Sequence, residues 1–236
     1  MTWSIIARDN ATGQFGIAVA TKFFAVGARV PHIAANIGGV ATQALVNPYY
    51  GIDGVRLLRE GRSPREVVDT LIAADNGRES RQLHIIDAGG RIASHTGSEC
   101  VDWCGHVEGA GLSIAGNMLA GAAVLDDTAQ AYLAHENLPF AQRLITAMRA
   151  GEAAGGDKRG KQSAALLIHG DEEWSALDLR VDDHADPLAE LERLEAVSRE
   201  RWVHFRPFLP TRKNPAGITD RASIDAGVEA GTAGRK

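Results

Sequence analysis

The chain has 236 residues, a formal net charge of -5, 44% hydrophobic residues and 2 cysteines. An acidic balance without a basic stripe excludes a general nucleic-acid surface, because phosphate binding needs clustered Lys and Arg. A signal-peptide pattern and a bilayer-spanning apolar run are both missing from the sequence, and the cysteines are too few for a disulfide framework, so a cytoplasmic protein without a membrane partner is expected.

Thr2–Asp9 and Phe15–Lys22 are alternating apolar runs joined by the turn residues Asn10–Gln14, which predicts a β-hairpin. Ile33–Leu45 predicts one or two buried strands, with Gly38 and Gly39 marking a bulge or a close backbone approach. Asn47-Pro48 starts a helix over Tyr49–Glu60, and Ser63, Pro64 and Glu66 fall at the N-cap, first-turn and capping-box positions of a second helix. Arg81–Asp87 and Arg91–Thr96 read as another hairpin, Gly111–Met118 as a strand, and Ala122–Glu136 and Phe140–Ala154 as two helices. A third hairpin, Ser163–His169 with Trp174–Val181, precedes a final helix over Pro187–Phe205. The Gly, Ala and Pro content beyond Pro207 predicts a largely disordered tail over 207–236, outside a single domain of residues 1–206. Runs of strands followed by pairs of helices fit an α+β architecture of mostly antiparallel strands, with two stacked sheets flanked by helices.

Thr2 follows the initiator methionine and is small enough for Met1 to be removed, so one residue can supply both a hydroxyl nucleophile and an amine base. The second strand returns Lys22 toward the start of the first, where an ammonium holds that amine neutral. The plainer readings are a fraying terminus and a solvated edge charge. Ser4 shares a strand face with Thr2. Gln43 and Asn47 put two amides near the end of one apolar run. Asn117 sets another in an apolar strand, as a backbone cap or an oxyanion donor.

The loop Gly155–Ser163 nearly matches a P-loop, but Gln162 replaces the magnesium-binding hydroxyl and the loop runs from a helix into a strand. It is either a solvated turn or a polar site in which Asp157, Arg159, Gln162 and Ser163 meet a substrate. Cys100, Cys104 and His106 have a metal-like spacing without a second ligand pair, so neither a metal nor a cofactor is expected, and Cys100 reads as an inert thiol.

The segments TWSIIARD…TG…GIAVATKFFAVG, GGVATQALVNPYYG, TGSEC…W…G, AGNMLAG and GGDKRGKQSAALL, in this order, resemble the family catalogued as domain of unknown function 1028 over about Thr2–Leu194. The resemblance implies membership of the N-terminal-nucleophile hydrolase superfamily and its four-layer αββα sandwich. It also implies that Thr2 is the nucleophile and Lys22 its neighbour, with only methionine removal needed to free the amine. The function expected on this basis is hydrolysis of a small amide or peptide-like bond through an acyl-enzyme on Thr2. The alternative is a non-catalytic protein that keeps the fold and binds a small molecule or a partner in the same cleft. A homodimer is expected on base rates.

Overall fold

The computed structural model describes residues 2–233. It divides into two compact units, Met1–Leu191 and Glu192–Lys236, so the boundary falls earlier than residue 206.

Strand β1 (Thr2–Arg8) turns through residues 9–14 into β2 (Phe15–Thr21), the hairpin expected from its alternation and turn chemistry. The run Ile33–Leu45 is two strands, β3 (Pro31–Ala34) and β4 (Gly38–Ala44). Gly38 and Gly39 mark close approach: a Cβ on Gly38 would stand 2.3 Å from the Ile86 carbonyl, and one on Gly39 would stand 3.1 Å from Ile6 across the sheets. Helix α1 (Pro48–Arg59) is capped by Asn47, and α2 (Pro64–Ala73) by the Ser63–Glu66 capping box. Strands β5 (Arg81–Asp87) and β6 (Ile92–Thr96) form the second hairpin.

The sequence reading missed β7 (Trp103–Gly109), an edge strand exposed along much of its length and so without apolar alternation. It pairs with β8 (Leu112–Leu119), which leads into α3 (Ala123–Ala134) and α4 (Phe140–Ala153). Strands β9 (Ser163–His169) and β10 (Ser175–Val181) complete the third hairpin.

Two antiparallel sheets result, with strand orders β10-β9-β2-β1-β8-β7 and β3-β4-β5-β6. Helices α1 and α2 pack on the smaller sheet, α3 and α4 pack on the larger, and the bare sheet faces meet each other. This is the four-layer αββα sandwich expected from the sequence. Val40, Leu83 and Ile85 face the α1–α2 layer, whereas Ile6, Ile17 and Ile86 fill the space between the sheets. Among the described residues no helix is long and apolar enough to cross a membrane.

The last helix expected, Pro187–Phe205, is broken into α5 (Pro187–Ser198) and α6 (Trp202–Phe205), because the chain leaves helical geometry at Arg201, with φ -142°. The expected disordered tail contains α7 (Arg221–Ala233). Its composition serves packing: Gly227 and Gly231 leave room for Phe208 and His204, whose rings would lie 2.4 and 2.3 Å from added Cβ atoms. Asp220 caps α7 by accepting the Ser223 N–H at 2.9 Å. Residues 234–236, also assigned to that tail, lie outside the described residues.

Candidate active site

Strand β1 is central in the larger sheet, and its first described residue opens onto a cavity of about 400 Å³. Thr2, Thr21, Gln43, Arg29 and Arg81 are the polar side chains of the wall, and Val26, Val30 and Leu45 are among the apolar ones. The hairpin register Trp3↔Ala20 sets Thr21 beside Thr2, and the Thr2 hydroxyl lies 3.1 Å from the Thr21 hydroxyl. A neighbouring cavity of about 350 Å³ shares Phe23, Ala44 and Leu45 with the first and is bordered by Asn117, Met118 and Arg159. Ala25, Ala44 and Met118 have φ of 53°, 69° and 55°, a left-handed conformation that disfavours a Cβ. All three flank or line these cavities, as strained backbone does at functional sites.

The strand is fixed from behind. Trp3 points the opposite way from Thr2 and is 1% exposed. Gly116, Gly151 and Gly156 make its slot: added Cβ atoms would stand 3.1, 2.9 and 3.3 Å from Trp3 atoms. The glycines of AGNM and of GEAAGG are therefore explained by packing.

Beneath Thr2 a chain of buried polar groups runs between the sheets. Gln82 is fully buried, with its Nε2 2.9 Å from the Gly116 carbonyl and 3.1 Å from that of Gly105. Carbonyls only accept, so this end of Gln82 must be its NH₂ and the other end its oxygen. That oxygen accepts from Gln43 Nε2 at 2.9 Å and from Asn117 Nδ2 at 3.0 Å. Gln43 Oε1 then accepts the Ser4 hydroxyl at 2.8 Å, and having spent its proton, Ser4 must accept from His84 Nε2 at 2.8 Å. His84 Nδ1 in turn accepts from the Ser113 hydroxyl at 2.9 Å. Two backbone carbonyls thus orient every amide and the imidazole tautomer. Burial, helped by the charge of His106 and opposed by a hydrogen bond to the Ser113 backbone, pushes His84 down to about 3, so the ring is neutral.

Of the residues singled out from the sequence, Thr2 and Gln43 meet on the first cavity, and Asn117 and Arg159 line the second. Ser4 is fully buried and acts through Gln43 rather than on a ligand. Lys22 does not line the cavity with Thr2. The register carries it one residue beyond β2, where its exposed ammonium donates to the Lys161 carbonyl at 3.2 Å. Asn47 caps α1, accepting the Tyr49 N–H at 3.1 Å and donating to Asp75 at 3.3 Å, and it lines neither cavity. Asp157 latches the loop to the larger sheet: it accepts the Lys22 N–H at 2.8 Å and pairs with Arg159 at 3.2 Å. Gln162 turns to Asp183 at 3.0 Å. Ser163 accepts the Val26 N–H at 3.2 Å and donates to the Phe23 carbonyl, which shapes the wall without reaching its surface. Burial pushes the Cys100 thiol up to about 11, unsuited to a nucleophile. Among the described residues no group of three or more His, Cys, Asp or Glu stands ready to hold a metal.

Thr21, Arg29, Arg81, Gln82 and His84 were missed. Thr21 was findable from the hairpin alone, since residues that pair with β1 follow once the turn is placed. For the others, periodicity gives a face but not which sheet it meets.

The four-layer αββα sandwich thus brings the start of its central strand to a cavity. Residues 2–191 match the family of unknown function DUF1028, and the chain belongs to that family. The crystal structure of protein SPO2555 from Silicibacter pomeroyi, of the same family, is 34% identical with a TM-score of 0.86, covering 93% of this chain and 96% of that one. Anbu (ancestral beta-subunit) from Yersinia bercovieri is similar at 12% identity and a TM-score of 0.42, over 83% of this chain and 96% of that one, too slight a likeness to build on. None of the curated proteins matches the chain.

Proposed function

We propose that the protein is an amidohydrolase that cleaves a small amide or peptide-like bond through an acyl-enzyme on Thr2. The observation that carries this reading is the Thr2 hydroxyl at the mouth of the 400 Å³ cavity, 3.1 Å from the Thr21 hydroxyl. Removal of Met1, which lies outside the described residues, frees an amine that titrates at ~7.7–8.0 in ordinary surroundings. Arg29 and Arg81 on the same wall disfavour a second cation and so keep that amine neutral. Lys22 has no part in this scheme.

The amine takes the Thr2 hydroxyl proton as Oγ1 bonds to the amide carbon. It returns that proton to the leaving nitrogen as the C–N bond breaks, leaving an ester on Thr2. Water, giving a proton to the same amine, then adds to the ester; the C–Oγ1 bond breaks, Oγ1 regains the proton and the acid departs. Gln43 and Asn117 each give one amide N–H to Gln82 and keep a second for the oxyanion. Losing one such donor costs roughly 10²–10³-fold in rate.

The test is the intact mass of the untagged chain before and after a β-lactone acylating probe. The expected result is loss of Met1 and one adduct mapped to Thr2. Thr2→Ala should abolish the adduct and shift the melting temperature little, because Thr2 sits at a strand end. Full retention of Met1, or equal acylation of Thr2→Ala, would overturn the reading in favour of a binding protein.

A further inference from the structure

We propose that the cavity takes an acyl group ending in a carboxylate, held by Arg29, so that the substrate is a short amide with an anionic far end. This rests on Thr2 as the nucleophile for the word substrate, but the anion site stands on geometry of its own. The two guanidiniums on the wall differ. Arg81 is engaged, with Nε 3.0 Å from Asp75 Oδ2 and Nη1 2.6 Å from the Leu45 carbonyl. Burial raises the Asp75 carboxyl, but hydrogen bonds from Gly77, Arg81 and Asn47 outweigh it and hold Asp75 down at about 2, so that pair persists at neutral pH. Among the described residues Arg29 makes one hydrogen bond, Nη1 to the Ala25 carbonyl at 3.4 Å, beyond the ordinary range. Among the described residues no carboxylate pairs with Arg29, and no Asp or Glu lines the cavity.

A planar carboxylate can answer two donors of such a guanidinium at once. The backbone that carries it is tied down. Arg29 follows the 3-10 turn Val26–Ala28, which Ser163 ties down through the Val26 N–H and which begins at the left-handed Ala25. The rest of the wall is largely apolar, with Val26, Val30 and Leu45 among its residues, which suits a short methylene chain. The volume of about 400 Å³ admits a small molecule rather than a peptide segment. On a chain of net charge -5, a cavity with cationic side chains and no acidic ones is a local inversion of sign that favours anions.

The experiment is calorimetric titration of the full-length protein with pentanoate and with pentanamide, which match in shape and differ in charge. Pentanoate should bind at least about tenfold more tightly. Arg29→Gln should bring pentanoate down to the level of pentanamide, and Arg29→Lys should recover part of the difference. Equal binding of the two ligands by the unsubstituted protein, no binding of pentanoate, or a carboxylate preference that survives in a folded Arg29→Gln would overturn the proposal. Thr2→Ala should keep the preference. Failure of the unsubstituted protein to acylate at Thr2, with the preference intact, therefore breaks the nucleophile reading alone, and acylation at Thr2 without the preference breaks the anion site alone.

Discussion

The space between the two sheets is filled in opposite ways at its two ends. Toward Thr2 it holds Ser4, Gln43, Gln82, His84 and Asn117, every one buried and hydrogen-bonded. Farther along the same strand faces it holds Ile6, Ile17, Ala41 and Ile86. The change occurs within single strands: Ser4 to Ile6 on β1, and His84 to Ile86 on β5. Burying the aliphatic groups is favourable in itself, whereas the amides only recover in the fold what water already gave them. The apolar end therefore supplies stability, and the polar end spends some of it on fixing which atom of each amide faces the cavity.

Substitutions separate these two roles. Gln82→Met conserves volume but strands two carbonyls and two amides. We expect a loss of about 4 kcal/mol in urea unfolding, together with slower acylation of Thr2 as Gln43 and Asn117 lose their orientation. Ile86→Ala should cost about 3 kcal/mol through its cavity and leave acylation of the folded fraction unchanged. Equal effects of both on acylation would mean that the polar end is merely another core. His84 gives a titration of the same contrast. Its folded value is about 3 against 6.5 unfolded, so the unfolded chain binds the extra proton between them. Stability then rises with pH across that window and is lost as pH falls, by roughly 1.4 kcal/mol per unit. Urea midpoints between about pH 6.5 and 5, above the carboxylate range, should show this slope, and His84→Gln should flatten it. The smallest effect concerns the backbone. Ala44→Gly should raise stability by up to about 1 kcal/mol by relieving a left-handed residue, whereas Ala41→Gly, on the extended part of β4, should lower it by a similar amount.

Much of the fold was readable because its signals are local. The Asn10–Gln14 turn between alternating runs, and Ser63 with Glu66 at a helix start, each specify structure within a few residues. β7 was not readable because an exposed edge strand needs no apolar alternation. Asp220 with the Gly227 and Gly231 face was misread because small residues that admit Phe208 and His204 look like the composition of a disordered tail. At the site, Thr2, Gln43 and Asn117 stood out as polar groups in apolar runs. Lys22 was misplaced by one residue of register, and Asn47 had an N-cap's position before Pro48 that explains it fully. Gln82, His84 and Arg29 depend on which strands become neighbours across two sheets, a long-range fact that no window of sequence contains.

Trp3 in its glycine slot fixes the start of β1. The first residues of a protein ordinarily wander, and ordering one of them costs about 1–2 kcal/mol of backbone entropy. Here the indole is locked one residue after Thr2, between strands paired on both sides, so that cost is met during folding by the core. Under the proposed mechanism an amide arriving at Thr2 would meet a stationary partner, its effective molarity set by a side chain that lines neither cavity.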